Sequence, residues 1–130
     1  IFAESKKYGY DPLFLTALII TESSFYNRAR SNRNAHGLMQ LKPATAVALA
    51  SEIHLQWKGT HTLYDPKKNI ALGAYYLNKL VDRFGDLTLA LEAYNQGPSR
   101  LSRFLRKGYL PQRYSKKVLK NYRRIRFQPI

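Results

Sequence analysis

The sequence predicts an all-α domain, and three observations carry this prediction. No segment alternates between apolar and polar residues for long enough to indicate a β-strand. Asp-Pro pairs at residues 11–12 and 65–66 mark helix starts, because Asp caps a helix and Pro fits its first turn. Apolar residues recur every three or four positions over residues 70–84, as they do on one face of a helix. For a chain of 130 residues we expect a single domain over residues 1–130.

Glycine and proline divide the chain into about six to eight helices. The expected helices are, approximately, residues 1–9, 11–23, 43–53, 65–84, 87–94, 99–107 and 112–126. Residues 26–37 form a polar loop that is too long for a simple turn, and residues 54–64 are expected to be irregular. Residues 95–98, Asn-Gln-Gly-Pro, are expected to break the chain between two helices.

The second helix is expected to be the centre of the fold and to carry an acid. Nearly every residue from Leu13 to Ile20 is apolar, so this helix should be buried on most of its surface. Glu22 lies near its carboxyl end, in line with the apolar face. Desolvation and the negative end of the helix dipole should both raise the pKa of Glu22, as in a general acid. The alternative is that Glu22 turns outward where the helix ends.

Composition limits the chemistry and indicates an anionic partner. There are no Cys residues, and His36, His54 and His61 lack metal-ligand spacing, so we expect no metal and no cofactor. Lys and Arg total 22 against 8 Asp and Glu, and the segment from Asn95 onward holds half of the basic residues and no acid. Nucleic acid, anionic lipid or an acidic wall polymer would each fit this charge.

The chain has no apolar run of membrane-spanning length, and it begins with Ile rather than Met. We therefore expect a processed chain or an excised domain.

A small set of polar residues remains that suits a sugar ligand. Glu22 can protonate a glycosidic oxygen, the amides of Gln40 and Asn95 can bind hydroxyl or N-acetyl groups, and tyrosines such as Tyr94 can stack on sugar rings. Each of Gln40, Tyr94 and Asn95 has an equally good interpretation as a loop cap or core-edge residue.

Six sequence blocks in a fixed order resemble the catalytic domain of soluble-type lytic transglycosylases, which are related to goose-type lysozyme. The resemblance covers nearly the whole chain. The blocks are Glu22-Ser23 with Phe25; Ser31 and Gly37-Leu38-Met39-Gln40-Leu41; Pro43-Ala44-Thr45-Ala46; Asp65-Pro66, Asn69-Ile70, Gly73 and Tyr76-Leu77; Ala93-Tyr94-Asn95 with Gly97-Pro98; and Tyr114 with Val118.

The resemblance implies a lysozyme-like helical domain with a glycan-binding cleft. The family cleaves the β-1,4 bond between N-acetylmuramic acid and N-acetylglucosamine and leaves a 1,6-anhydromuramoyl end. Glu22 would act first as acid and then as base, and Tyr114 would orient it. The residues that would contact the substrate are Ser31, Gly37, Leu38, Met39, Gln40, Tyr94, Asn95 and Tyr114, with Met39 and Gln40 beside the reacting sugar.

The resemblance also bears on partners and location. It implies peptidoglycan as the substrate, with the basic C-terminal half on an anionic wall polymer, and a monomer that does not bind nucleic acid. The expected location is the cell envelope, either periplasmic or secreted.

The chain departs from the family pattern at two positions. Asn34 stands where the family usually has Gly, and Asn tolerates a left-handed backbone. Glu92 stands where the family usually has a small residue. Glu92 is therefore a candidate modulator: a second carboxylate that activates water, a partner for a charge on modified substrate, or an ion-pair partner of a neighbouring Lys or Arg.

Three other functions remain open at this level. A basic nucleic-acid-binding module would explain the charge, although no recognised binding motif is present. A hydrolytic lysozyme would need Glu92 or another acid to activate water, and an inactive wall-binding protein would keep the fold without using Glu22.

Overall fold

Residues 1–127 are described by the computed structural model, and within them the all-α prediction is confirmed. Seven α-helices and one 3₁₀ helix form, with isolated backbone bridges but no β-strand among these residues. The helices are α1 (Phe2–Tyr8), α2 (Pro12–Ser23), α3 (Pro43–Glu52), α4 (Pro66–Phe84), α5 (Leu87–Gln96), α6 (Pro98–Arg106) and α7 (Arg113–Phe127). Residues 128–130 of the predicted domain lie outside the described residues.

The helix ends follow the expected local chemistry. The Asp11 carboxylate accepts a hydrogen bond from the Leu13 N–H at 2.9 Å, and Asp65 accepts one from the Lys68 N–H at 3.2 Å. Gly85 ends α4 in the left-handed conformation, with φ of 71°. The caps that the sequence predicts at these positions are therefore confirmed.

Two boundaries differ from the prediction. Residues Thr60–Tyr64 form a 3₁₀ helix within the segment that we expected to be irregular. The buried Thr62 hydroxyl accepts a hydrogen bond from the Lys58 N–H at 2.9 Å and holds this turn. Helix α5 also continues through Gln96, because the break comes at Gly97, whose φ is 93°. Asn95 is therefore on the last turn of a helix and not in a loop.

The core has two long buried helices at its centre. On α2 the largely buried surface is confirmed, and the helix packs mainly against α7. The 19-residue α4 contacts more elements than α2 does: α1, α3, α5 and the 3₁₀ helix. Our expectation that the helices pack around α2 is therefore incomplete, because α4 is also central and is long enough to contact several elements along its length. Helix α7 contacts both α2 and α5, which brings the two helices that carry the acidic site residues to one place.

Candidate active site

Glu22 lies on the last turn of α2 at the edge of a cleft. Its side chain is largely buried, and the Tyr114 hydroxyl donates a hydrogen bond to Glu22 Oε1 at 2.9 Å. Burial raises the pKa of Glu22 from 4.5 to about 7, while the Tyr114 hydrogen bond and the positive charge of Lys117 act in the opposite direction. The prediction of a raised pKa is confirmed, and the carboxyl can both give and take a proton near neutral pH.

The turn from His36 to Leu41 forms the floor beside Glu22. The Ser23 hydroxyl donates to the Leu38 carbonyl at 2.7 Å and so ties the end of α2 to this turn. The Tyr94 hydroxyl donates to the Met39 carbonyl at 2.6 Å from the other side. These bonds hold the backbone of the turn between α2 and α5.

Asn69 fixes the same turn from below. Its side-chain oxygen accepts from the Met39 N–H at 2.8 Å. Its amide donates to the carbonyls of His36 at 3.1 Å and Leu63 at 2.9 Å. Both N–H donors and the oxygen of this fully buried amide have backbone partners, so its role is structural.

Three residues of the predicted substrate site are buried beneath the cleft. Gly37 and Leu38 lie below the surface, and the Met39 side chain has no exposed area and contacts Gly73 of α4. The expectation that Met39 lies beside the reacting sugar is therefore wrong for its side chain. A Cβ atom on Gly37 would overlap Asn69 and the Leu63 carbonyl, which explains the glycine in structural terms.

Gln40 does line the cleft, and its orientation is fixed. Its backbone is left-handed, with φ of 51°. Its side-chain nitrogen donates to the Gly37 carbonyl at 2.9 Å and to the Ala29 carbonyl at 3.1 Å. Both amide hydrogens are thus used within the protein, so Gln40 offers a ligand its oxygen, which is an acceptor.

The cleft has a volume of about 370 Å³ and brings five of the predicted residues together. These are Glu22, Ser31, Gln40, Tyr94 and Asn95. The other residues that line it are Arg33, Ala35, Leu41, Lys42, Thr45, Tyr76, Gln96, Gly97 and Pro98. A cleft of this size with a few convergent polar groups is typical of a small-molecule or oligosaccharide site.

Tyr76 is a cleft residue that the sequence-based site prediction omits. Its ring lies 5.4 Å from that of Tyr94, centroid to centroid, and both line the cleft. Tyr76 is an aromatic residue outside the apolar stripe of α4, and that position was the available signal. Arg33 and Lys42 were also missed, because nothing in their local sequence separates them from other basic loop residues.

A second hollow of about 370 Å³ adjoins the cleft and shares Asn95 and Gln96 with it. Its other lining residues are Glu92, Tyr109, Pro111, Gln112, Arg113, Tyr114 and Lys117. Glu92 lies at the bottom of this hollow and is 1% exposed. Its Oε2 accepts a hydrogen bond from the Ser115 N–H at 2.6 Å, in the first turn of α7.

The burial and hydrogen bonding of Glu92 bear on the three roles that the sequence left open. The ion pair found within residues 1–127 joins Lys79 to Glu52, so Glu92 has no Lys or Arg partner there. Glu92 does not line the cleft itself, and its 1% exposure gives a substrate or a water molecule little access to the carboxylate. The carboxylate instead accepts hydrogen bonds from the Ser115 N–H in the first turn of α7 and, at 3.5 Å, from the Gln96 side-chain nitrogen.

Residues 1–127 contain neither a cluster of metal ligands nor a membrane-spanning helix. No group of three or more His, Cys, Asp or Glu side chains in that range is placed to hold a metal ion. No helix in that range has both the length and the apolar character needed to cross a membrane.

Comparison with known proteins identifies the family. The model of the transglycosylase SLT domain matches residues 1–116. This chain belongs to the transglycosylase SLT domain family. The match includes Glu22, the turn at residues 36–41, Tyr94 and Tyr114, and therefore the whole cleft described above.

Individual relatives agree with this assignment. The chain is 39% identical over 121 residues to a transglycosylase of Enterobacteria phage PRD1, covering 93% of this chain and 41% of the relative. An inactive Glu-to-Gln mutant of lytic transglycosylase Slt from Pseudomonas aeruginosa superposes with a TM-score of 0.74 at 33% identity, over 93% of this chain and 20% of that one. The 70-kDa soluble lytic transglycosylase from Escherichia coli superposes with a TM-score of 0.80 at 26% identity, over 97% of this chain and 24% of that one. The SLT domain described here thus spans less than half the length of each of these relatives.

Proposed function

We propose that this SLT domain cleaves peptidoglycan between N-acetylmuramic acid and N-acetylglucosamine and leaves a 1,6-anhydromuramoyl end. The observation that carries the proposal is Glu22, a carboxyl of pKa about 7 in a cleft that also holds aromatic rings and a fixed amide acceptor. Family membership and the names of the relatives support it. The proposed place of action is the cell envelope, periplasmic or outside the cell.

In this mechanism one carboxyl serves both steps. Protonated Glu22 donates its proton to the glycosidic oxygen, so that the N-acetylglucosamine side leaves as an alcohol. The Glu22 carboxylate then takes the proton from the 6-hydroxyl of the muramoyl sugar, whose oxygen forms the new bond to C1. The proton returns to Glu22, and no water is consumed. A pKa near 7 makes both forms of the carboxyl available at neutral pH.

The small number of acids favours this route over hydrolysis. Among the residues that line the cleft and the adjoining hollow, Glu22 and Glu92 are the two carboxylic acids. Glu92 is buried and hydrogen-bonded to the backbone of α7, so it is not placed to activate a water molecule as an inverting glycosidase requires. Transfer to an internal hydroxyl needs no second carboxylate.

The test is digestion of purified sacculi followed by mass spectrometry of the muropeptides. We expect anhydro ends, which lack one water relative to reducing ends. Glu22→Gln should lower the rate by at least about 10²-fold, because the amide cannot transfer the proton. Glu52→Gln is the matched control, since Glu52 is exposed, pairs with Lys79 and lies outside the cleft. Reducing ends, or a Glu22→Gln variant with the parent rate, would refute the proposal.

We also propose that the basic C-terminal half holds the domain on the anionic wall polymer. All eleven Lys and Arg side chains after Asn95 are exposed, and the segment contains no acid. The side chains are Arg100, Arg103, Arg106, Lys107, Arg113, Lys116, Lys117, Lys120, Arg123, Arg124 and Arg126. Charges of this kind attract a polyanion through solvent, and salt screens the attraction.

Charge reversal tests this second proposal if it avoids the site. Arg113 and Lys117 line the hollow beside Tyr114, so the informative change is Lys116→Glu with Lys120→Glu. Compared with the parent protein, this double variant should bind sacculi more weakly at low salt and equally well at high salt. Its turnover of a short uncharged chito-oligosaccharide should equal that of the parent. Reversal of Lys6 and Lys67, which are also exposed, is the matched control. Equal weakening by both pairs would show that net charge alone matters.

A further inference from the structure

Glu92 is a buried carboxylate without a role in the steps proposed above. It lies on α5, two residues before Tyr94, and is 1% exposed. Oε2 accepts the 2.6 Å hydrogen bond from the Ser115 N–H, and the Gln96 side-chain nitrogen lies 3.5 Å from Oε1. A buried charge persists where charge-assisted hydrogen bonds and a helix N-terminus compensate its desolvation. The carboxylate therefore fastens the first turn of α7 to α5.

The residue next to this anchor is the one that contacts the catalytic acid. Tyr114 directly precedes Ser115, and its hydroxyl makes the 2.9 Å bond to Glu22 Oε1. Helix α7 packs against both α2 and α5, so the position of its first turn decides whether this bond forms. An O–H···O hydrogen bond has a donor–acceptor distance of about 2.5–3.0 Å, so this bond is near the long end of the range and a small displacement of the turn is enough to lose it.

We infer that Glu92 is a positioning residue, whose buried carboxylate holds the start of α7 so that the Tyr114 hydroxyl donates to Glu22. The inference rests on the proposed role of Glu22 as the catalytic acid. Glu92 touches neither the glycan nor the reacting atoms; it acts through Ser115 and Tyr114.

The groups around Glu22 determine the direction in which its pKa should change if the inference is correct. Tyr94 faces Glu22 from α5, Tyr114 and Lys117 face it from α7, and Arg33 lies on the loop that lines the same cleft. The Tyr114 bond favours the ionised form of Glu22, so losing it raises the pKa of Glu22. Removing the negative charge of Glu92 without moving Tyr114 would lower that pKa, because a like charge disfavours ionisation. The two effects have opposite directions.

The experiment is a titration of Glu22 by NMR in protein labelled with ¹³C at the glutamate carboxyls. The chain has four glutamates, at positions 4, 22, 52 and 92, and the signal missing in Glu22→Gln identifies Glu22. Tyr114→Phe removes the hydrogen bond directly and is the reference variant. Its Glu22 titration midpoint should rise by roughly one pH unit. Glu92→Ala should raise the midpoint by most of that amount. The double variant should go no higher than Tyr114→Phe alone.

Glu92→Gln is the matched control, because its amide oxygen can still accept from Ser115. Because it removes the charge without moving Tyr114, its midpoint should lie at or slightly below the parent value and it should retain most of the parent kcat, while Glu92→Ala lowers kcat and leaves KM unchanged. If Glu92→Ala does not fold, Glu92→Asp replaces it, since it keeps the charge but withdraws the carboxylate by one methylene group.

The inference is overturned if Tyr114→Phe raises the Glu22 midpoint but the folded Glu92→Ala or Glu92→Asp variant leaves it unchanged or lowers it. The titration needs no substrate. Failure of the proposed cleavage reaction would therefore appear in the sacculus assay and not here.

Discussion

Replacing Glu22 by Gln should make the protein more stable, and the gain should grow with pH. Burial raises the pKa of Glu22 from 4.5 to about 7 in the folded protein. Between those two values the folded state holds a proton that the unfolded state has released, so stability falls as the pH rises. The cost begins above about pH 4.5 and is complete above about pH 7. Gln removes it, because the amide does not ionise.

The size of the gain follows from the two pKa values. One pKa unit corresponds to about 1.4 kcal/mol, so the rise from 4.5 to about 7 corresponds to about 3 kcal/mol at full ionisation. We therefore expect Glu22→Gln and the parent to differ by up to about 3 kcal/mol more at pH 8 than at pH 4. For a domain of this size, that difference is roughly 10 °C in Tm.

The measurement is urea unfolding of both proteins at several pH values between 4 and 8. Glu52→Gln is a control in which the opposite change is expected. The hydrogen bond from Lys79 lowers the pKa of exposed Glu52, so replacing Glu52 should destabilise the protein slightly. This loss should be larger above the pKa of Glu52 than below it. A Glu22→Gln difference that stays constant across this range would show that burial does not hold Glu22 in the protonated form. The explanation of its role as a proton donor would then fail.

Two further predictions concern the floor of the cleft. Asn69→Ala removes three hydrogen bonds to backbone groups. The Met39 N–H and the Leu63 carbonyl lose their partner, whereas the His36 carbonyl keeps its bond from the Leu41 N–H, so the free energy of unfolding should fall by about 3 kcal/mol. Asn78→Ala, on the same helix but without such bonds, should have little effect, and urea unfolding compares the two variants. Gly73→Ala places a Cβ atom against the side chain of Met39 and should cost about 1–3 kcal/mol. If its Tm equals that of the parent, Met39 is free to move aside.

The sequence was sufficient to predict those features that depend on residues close together in the chain. The caps at Asp11 and Asp65 depend on bonds to residues two or three positions away, and both could be predicted. The raised pKa of Glu22 could be predicted for a similar reason, because Glu22 follows an apolar run on the same helix and such a helix is expected to be buried.

Long-range packing was not accessible from the sequence. The burial of Met39 depends on Gly73 and on Asn69, which is 30 positions away, and no periodicity places α4 beneath that turn. The partner of Glu92 is a backbone N–H, which carries no residue-type signal. The resemblance supplied Tyr114 as the partner of Glu22, a pairing that composition and spacing alone did not give.

The hydrogen bond between Tyr114 and Glu22 joins residues that are 92 positions apart. A ribosome therefore releases α2, with its acid, long before it releases the turn that orients that acid. We expect a growing chain to remain unable to cut glycan until the start of α7 has emerged and docked on α2 and α5. Arrested nascent chains that end before and after this point would reveal it as the onset of Glu22-dependent cleavage. Synthesis of the start of α7 would then determine when the proposed cleavage activity begins.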